Sequence, residues 1–494
     1  MALDNLRAFV GAIDAAGELA RVERPVSVDK EITEIADRCM KSSAFGGGGP
    51  ALLFAKPTLR SGGASRYPVA VNLFGSERRM AMALGVARLD EVGERIAELL
   101  NLKVPDSLMG KLAMLPRLAE VAKFPPKTIS RPPCQETVIR GADVDFSTFP
   151  VPICWPEDGG PYITLPGVIT RDPVSGVRNV GMYRVQVLGK NELAMHWQRH
   201  KVGAAHWRVM AERGETMPVA IALGGDPASI YAASAPLPPT IDEYLFAGFL
   251  RGEPVRLAKA VTSDLEVPAE AEIVIEGFVD PREELVLEGP FGDHTGFYSL
   301  ADYYPKVHVT AVTLRSDPIW PHTIVGRPPM EDFYLGHATE RIFMPLLRLT
   351  IPEIVDLHMP AEGIFHNLVF VSIDKQYPGQ AYKVMNGLWG QGLMSLAKVI
   401  VVVDKDVNVR DPKEAWWVAL NHIDPERDVR FTMGPIDVLD HSSRGFTYGS
   451  KMGIDATRKW KEEGFTREWP NKIVMDAATK AKVDAMWKEL GIEL

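Results

Sequence analysis

The stretch Glu288-Gly-Pro-Phe-Gly-Asp293-His-Thr-Gly296 sets two carboxylates five positions apart around a Gly-Pro turn. Glycine and proline impose a backbone course that neither helix nor strand prefers, so both acids can be aimed at one point. Paired acids of this kind suit proton transfer. A solvated, Asp- and Gly-rich turn is the plain alternative.

Upstream, Arg178-Asn179-Val-Gly-Met182-Tyr183-Arg184-Val-Gln-Val-Leu188 has the Val and Tyr content of a strand. Gly189-Lys-Asn191 is a turn, and Leu193–Trp197 completes a hairpin. Period-2 alternation sends Asn179 and Arg184 to opposite faces. They meet only if the strand bulges, with Gly181 the expected place, or they serve two sides of one ligand. A structural Arg–Asn pair is the simpler reading. Asn179, His200 and Glu243 together offer an amide oxygen, an imidazole and a carboxylate, a mostly hard set suited to Mn²⁺ or Mg²⁺. Their separations match no short metal motif.

These residues must be held by a chain of 494 residues, long enough for two to four domains, with three expected. Hydrophobic residues make up 46% and charged residues 24%, the range of ordinary globular proteins. A net charge of -9 argues against a nucleic-acid surface as the main function. The three cysteines, Cys39, Cys134 and Cys154, lack metal-ligand spacing, and no secretory pattern opens the chain, so a reduced, cytoplasmic protein is expected. Apolar runs such as Val399–Val403 are far shorter than the ~20 residues that span a bilayer. A peripheral membrane contact stays open.

Leu6, Phe9, Val10 and Ile13 follow helical spacing, with Asp4 the expected N-cap and Gly17 the stop. Further helices are expected near Glu31–Met40, Arg78–Leu84 and Asp90–Leu102, and strands at Ala51–Ala55 and Val69–Phe74. The glycines at 46–49 lack a following Gly-Lys-Ser/Thr and read as a flexible loop, not a phosphate loop. Prolines near 125–133 mark a boundary, after which short strands and turns to about 315 favour a barrel or sandwich. Leu368–Ile373 and Lys398–Val403 flank a helical stretch at Gln380–Leu396, as in a βαβ unit. The expected division is an N-terminal α/β domain at 1–124, a central β domain at 125–315, a linker at 316–340 and a C-terminal α/β domain at 341–494.

The segments Asn179–Arg184, Glu288–Gly296, Gly326-Arg-Pro-Pro329, Pro352–Asp356 and Ser450–Thr457 closely resemble the UbiD family of decarboxylases, in order and over nearly the whole length. Glu31–Asp37, Cys154-Trp-Pro-Glu-Asp158 and Ser263–Ala269 fit the same pattern. The resemblance implies a central split β-barrel that binds prenylated FMN and a C-terminal α/β oligomerisation domain. It also implies reversible, non-oxidative decarboxylation of an aromatic or α,β-unsaturated acid. Asn179, His200 and Glu243 resemble ligands of a Mn²⁺ that grips the flavin phosphate. A K⁺ commonly accompanies it, bound partly by backbone carbonyls around Ala232–Ala235.

By the same resemblance Arg184, Glu288 and Asp293 are the catalytic Arg and acid pair, and Met182, Tyr183, Arg184, His196, Trp197 and Gln198 contact the cofactor. Glu288 is the expected proton donor, kept protonated by burial or by Asp293. His196 stands where ubiquinone-pathway relatives would carry Arg, and Gln198-Arg199 replaces a Leu-Ser type pair. His294 is a candidate substrate contact or a turn-bonded structural residue. The implied partners are an aromatic carboxylic acid, a flavin prenyltransferase of the UbiX type as cofactor supplier, and further copies of the chain as a homodimer or homohexamer. Polyprenyl-4-hydroxybenzoate of quinone biosynthesis is one implied substrate, and a small phenolic or heteroaromatic acid the alternative. A non-catalytic flavin-binding subunit and a metal-dependent hydrolase are the competing readings.

Overall fold

The computed structural model describes residues 2–43, 47–100 and 124–492. Leu6, Phe9, Val10 and Ile13 are buried along one face of helix Leu6–Ala15. The cap is Asn5, not Asp4: its side chain accepts the Ala8 N–H at 2.9 Å, satisfying one of the free donors of the first turn. Gly17 ends the helix at φ +74°, the left-handed position that glycine adopts without steric cost. Helix Asp90–Leu100 matches expectation as far as the described residues run. Strand Val69–Val71 stops three residues short of the expected end.

Four strands form the N-terminal sheet, in the order Leu19–Val22, Ala51–Phe54, Val69–Val71, Trp320–His322. The last comes from far along the chain and pairs parallel with Val69–Val71. The expected linker at 316–340 is therefore corrected: it holds this strand and the start of the 20-residue helix Glu331–Thr350. Trp320 is fully buried, so hydrophobic burial draws the segment into the sheet.

The central domain is a nine-stranded sheet. Its path runs Arg178–Gly181, Pro166–Arg171, Met217–Gly224, Ala271–Val279, Lys306–Leu314, Glu192–Met195, Val185–Val187, Tyr162–Ile163, with Thr137–Arg140 off the path. Arg178–Gly181 is one edge, whereas Val185–Val187 lies next to the opposite edge. Three residues separate Gly181 from Val185, and the four Cα-to-Cα steps span at most about 14 Å. The sheet must therefore curl until its ends nearly meet, which makes it the expected split half-barrel. Met182, Tyr183 and Arg184 bridge the seam.

The expected continuous strand Arg178–Leu188 is thus two strands. No bulge forms at Gly181: pairing runs to Gly181 opposite Val168, and then the Met182 N–H turns away to the Ala233 carbonyl at 2.8 Å. Gly181 instead makes room for the Tyr183 ring, which a Cβ there would meet at 2.2 Å.

The C-terminal sheet has the order Ile354–His358, Leu368–Ile373, Val399–Asp404, Tyr448–Asp455, Val429–Pro435. Leu368–Ile373 and Val399–Asp404 are parallel and joined through helix Gln380–Trp389, the expected βαβ unit. The helix is shorter than expected, because the chain breaks at Gly390 and continues as a 3₁₀ turn at Gly392–Leu396.

Candidate active site

Arg184 projects from the barrel seam between the two acids. Its Nε and Nη2 donate to the two oxygens of Glu288 at 2.8 and 2.9 Å, Nη1 donates to Asp293 Oδ2, and Nη2 also reaches Ser299 Oγ at 3.0 Å. Four of the five guanidinium N–H groups are thereby engaged. The guanidinium lies 4.8 Å from the centre of the Phe291 ring. The spacing that first suggested convergent acids delivers them: Glu288 is fully buried, Asp293 nearly so.

The acids do not sit on an irregular loop. Glu288 ends strand Val286–Glu288, paired with Asp302–Tyr304, and Asp293 follows the two-residue ribbon Phe291–Gly292, paired with Tyr298–Ser299. Gln186 Oε1 accepts the Gly289 N–H at 2.9 Å, and Asp158 Oδ1 accepts the Gly292 N–H at 2.7 Å. Asp158 also takes the N–H groups of Cys154 and Trp155, which ties the Cys154–Asp158 motif to the acid turn. A Cβ on Gly292 would strike Trp155 at 2.1 Å.

Burial alone would raise the Glu288 carboxyl, but hydrogen bonds from His196 and Arg184 and the Arg184 charge bring it down to about 2. Glu288 is therefore a carboxylate at rest, contrary to the expectation that burial or Asp293 keeps it protonated. Asp293 is held well below the usual range against its burial by the His294 hydrogen bond and the Arg184 charge. His196 is lowered by burial and by Arg184, so it is neutral near pH 7; its Nδ1 lies 2.9 Å from Glu288 Oε2. His294 Nδ1 and N bond Asp293 Oδ1 at 2.9 and 2.8 Å, the turn-bonded arrangement. Its ring also lies 5.5 Å from Phe365 of the C-terminal domain.

Glu243, at the start of helix Glu243–Arg251, is bonded to the strand Arg178–Gly181 that carries Asn179: its Oε2 accepts the Val180 N–H at 2.8 Å. Asp242 caps this helix through the Tyr244 N–H. Burial pushes Glu243 up to about 7. His200 is exposed, one residue before the helix Val202–Arg213 N-cap Lys201, and makes no hydrogen bond to Asn179 or Glu243. The carbonyls of Ala232 and Ala233 accept N–H groups from Ala235 and Met182, leaving each a second lone pair.

Three buried polar atoms along this seam have no partner: Asn179 Nδ2, His196 Nε2 and Trp197 Nε1. Buried polar atoms are normally satisfied, so the seam has the character of a site completed by a polar ligand. Asn179 amide oxygen and nitrogen can exchange places by a flip of the side chain, which would turn a hard oxygen toward a cation. Met182 is half-buried, Tyr183 and Trp197 are buried, and Gln198 is half-buried beside them. Residues the sequence did not single out are Ser299, Gln186 and Tyr304, whose ring is tilted against that of His196 with centres 4.3 Å apart. Only Asp158 carried a signal, an acid four residues past Cys154 in a Trp-Pro turn.

Family models match three consecutive parts of the chain: the N-terminal domain of 3-octaprenyl-4-hydroxybenzoate carboxy-lyase at residues 10–99, its Rift-related domain at 127–328, and its C-terminal domain at 333–456. Uncharacterized proteins of Aquifex aeolicus and Archaeoglobus fulgidus are 53% and 50% identical over 99% of both partners' lengths. The UbiD-class enzyme HmfF from Pelotomaculum thermopropionicum, solved with FMN, is 30% identical with a TM-score of 0.79, covering 97% of this chain and 99% of its own. The vanillic acid decarboxylase of Sedimentibacter hydroxybenzoicus in its closed form is 28% identical with a TM-score of 0.82, covering 99% of each chain. With all three domain models matched in order, the chain belongs to the UbiD family of carboxy-lyases.

Proposed function

We propose that this chain converts an aromatic or α,β-unsaturated carboxylate and a proton into the decarboxylated product and CO₂, reversibly, with prenylated FMN held at the barrel seam. The observation that carries the reading is the Arg184 clamp on Glu288 and Asp293, set beside the unpartnered Asn179, His196 and Trp197 atoms. HmfF has been solved with FMN and, in an evolved dimeric form, with prFMN. When bound, the prenylated flavin supplies the electron sink that the departing CO₂ requires. Asn179, Glu243 and His200 would hold a Mn²⁺ at its phosphate, with K⁺ at the carbonyls near Ala232–Ala235. Loading requires His200 to turn inward from its exposed position.

Glu288 is the proton carrier. It rests as a carboxylate, and a substrate carboxylate arriving beside it disfavours that charge and raises its proton affinity. His196 Nδ1, already in contact, keeps the carboxyl oriented. Arg184 has one uncommitted N–H, so its main task is to hold both acids, with little left to grip substrate. Asp293 balances the guanidinium charge when Glu288 becomes neutral.

Leu287, Phe297, Leu300 and Tyr303 flank the acid turn and are 54%, 62%, 87% and 62% exposed. That apolar rim favours an acid with an apolar substituent, of which polyprenyl-4-hydroxybenzoate is one; a small phenolic or heteroaromatic acid is the second reading, supported by the vanillic acid decarboxylase likeness. The exposed strand Val429–Pro435, with Phe431 74% exposed, supports self-association through the C-terminal sheet. Among the described residues no helix is long and apolar enough to cross a membrane. The test is expression with a flavin prenyltransferase, followed by cofactor mass, absorption spectrum and CO₂ release from both substrate types. A protein that binds no prenylated flavin sinks the proposal, and hydrolysis without flavin would favour a metal hydrolase.

A further inference from the structure

Away from the barrel seam, His337, Glu340 and His358 form a buried cluster whose ligand atoms all lie within 4.8 Å of one another. His337 and Glu340 sit one turn apart on helix Glu331–Thr350, and His358 ends strand Ile354–His358. Nδ1 of His337 and Nδ1 of His358 stand 3.2 and 3.1 Å from the same oxygen, Glu340 Oε2. Charge-assisted hydrogen bonds are normally about 2.7–2.9 Å. The other oxygen of this carboxylate shows the contrast, taking the Met359 N–H at 2.7 Å. Donor atoms about 2.0–2.1 Å from a shared tetrahedral cation stand about 3.3 Å apart, close to the spacing around Oε2.

His337 also has an acceptor at each end. Its Nε2 meets Glu77 Oε1 at 3.2 Å, and Glu77 opens helix Glu77–Ala83 of the N-terminal domain. Against its burial, the two carboxylates push the ring up to about 9, so without a metal both nitrogens carry protons and donate. A cation taking the Nδ1 lone pair would displace the Nδ1 proton while Nε2–H stays on Glu77. Metal-bound histidines commonly donate their far N–H to a carboxylate in this manner. Arg341 is the nearby competing cation, but its charge is met by Asp356 at 2.6 Å and it reaches Glu340 Oε2 only at 3.4 Å.

We propose that His337, Glu340 and His358 bind a divalent cation of borderline softness, Zn²⁺ foremost. It pins helix Glu331–Thr350 to strand Ile354–His358 and, through Glu77, to the N-terminal domain. All three ligands are less than a tenth exposed, so the cation is structural and independent of the flavin site.

The test uses the purified full chain carrying Glu243→Gln, which silences the proposed flavin-phosphate site, stripped with chelator. Zn²⁺ is added by calorimetric titration, and Co²⁺ serves as a visible-absorption probe. One Zn²⁺ per chain is expected, with Co²⁺ bands of low-symmetry nitrogen and oxygen coordination and a rise of several degrees in unfolding temperature on adding Zn²⁺. His358→Gln should weaken Zn²⁺ at least about 100-fold and the solvent-facing Glu77→Gln about 10-fold, as loss of an outer partner does. No Zn²⁺ uptake by the folded Glu243→Gln protein, or equal uptake by its His358→Gln derivative, would mean a hydrogen-bond network only and overturn the proposal. If the His358 variant does not fold, unchanged Zn²⁺ affinity in Glu77→Gln overturns it instead. Mn²⁺ and flavin content of the unsubstituted chain test the barrel site separately.

Discussion

Glu288 and Glu243 are both buried carboxylates of the central domain, yet one is drawn down to about 2 and the other pushed up to about 7. Burial raises both, and the neighbours decide the outcome. Glu288 has a bidentate guanidinium and an imidazole against it, whereas Glu243 receives the Val180 N–H. Both acids of the clamp thus find their charge and hydrogen-bond partners within the protein. At the proposed cradle, Glu243 is only partly ionised near neutral pH, and a cation beside it would draw it fully into the charged form.

The sharpest way to break this contrast is to remove the shared cation of the clamp. Arg184→Met leaves two buried carboxylates uncompensated, which costs about 3–5 kcal/mol where a buried pair is severed. A large fall in the chemical-denaturation midpoint and loss of CO₂ release are expected. Arg184→Lys should rescue stability only in part, because an ammonium cannot grip Glu288 with two parallel bonds.

Acid pH probes the same clamp more gently. A carboxyl lowered from 4.5 to about 2 contributes roughly 3 kcal/mol to folding. The folded value is the depressed one, so this stability is present above pH about 4.5 and is lost as pH falls toward about 2. Glu288→Gln should flatten that part of the stability curve, read from unfolding midpoints across pH 5 to 2. An unchanged acid limb would show that the Arg184 contact is worth little.

On the cradle side, Glu243→Gln should lower Mn²⁺ content and flavin retention by metal analysis while leaving the acid limb of stability intact. The smallest effect is expected at His294. Asn at this position removes the ring contact but keeps the Asp293 backbone bond, so turnover should fall about tenfold, below the 10²–10⁴ typical of a proton-transfer group. A larger loss would move His294 into the proton path.

Much of this arrangement was legible in the chain. Helical spacing at Leu6–Ile13 and β-branched runs at 368–373 and 399–403 report directly on local burial, and both elements formed as expected. The acid pair was legible because Gly-Pro punctuation constrains the backbone locally. Three features were not. Trp320–His322 pairs with Val69–Val71, about 250 residues earlier in the chain, and no local pattern encodes such a pairing. The strand break at Met182–Arg184 depends on the whole sheet curling, so period-2 alternation ran straight through it. The ionised state of Glu288 depends on how Arg184's donors are shared, which spacing cannot show.

The most direct test of the account is CO₂ release by the Glu288→Gln enzyme loaded with prenylated FMN, measured beside the unsubstituted enzyme on the same aromatic acid. The account predicts a retained cofactor spectrum and a loss of turnover of at least about 10²-fold. Near-equal CO₂ release from the two enzymes would contradict it.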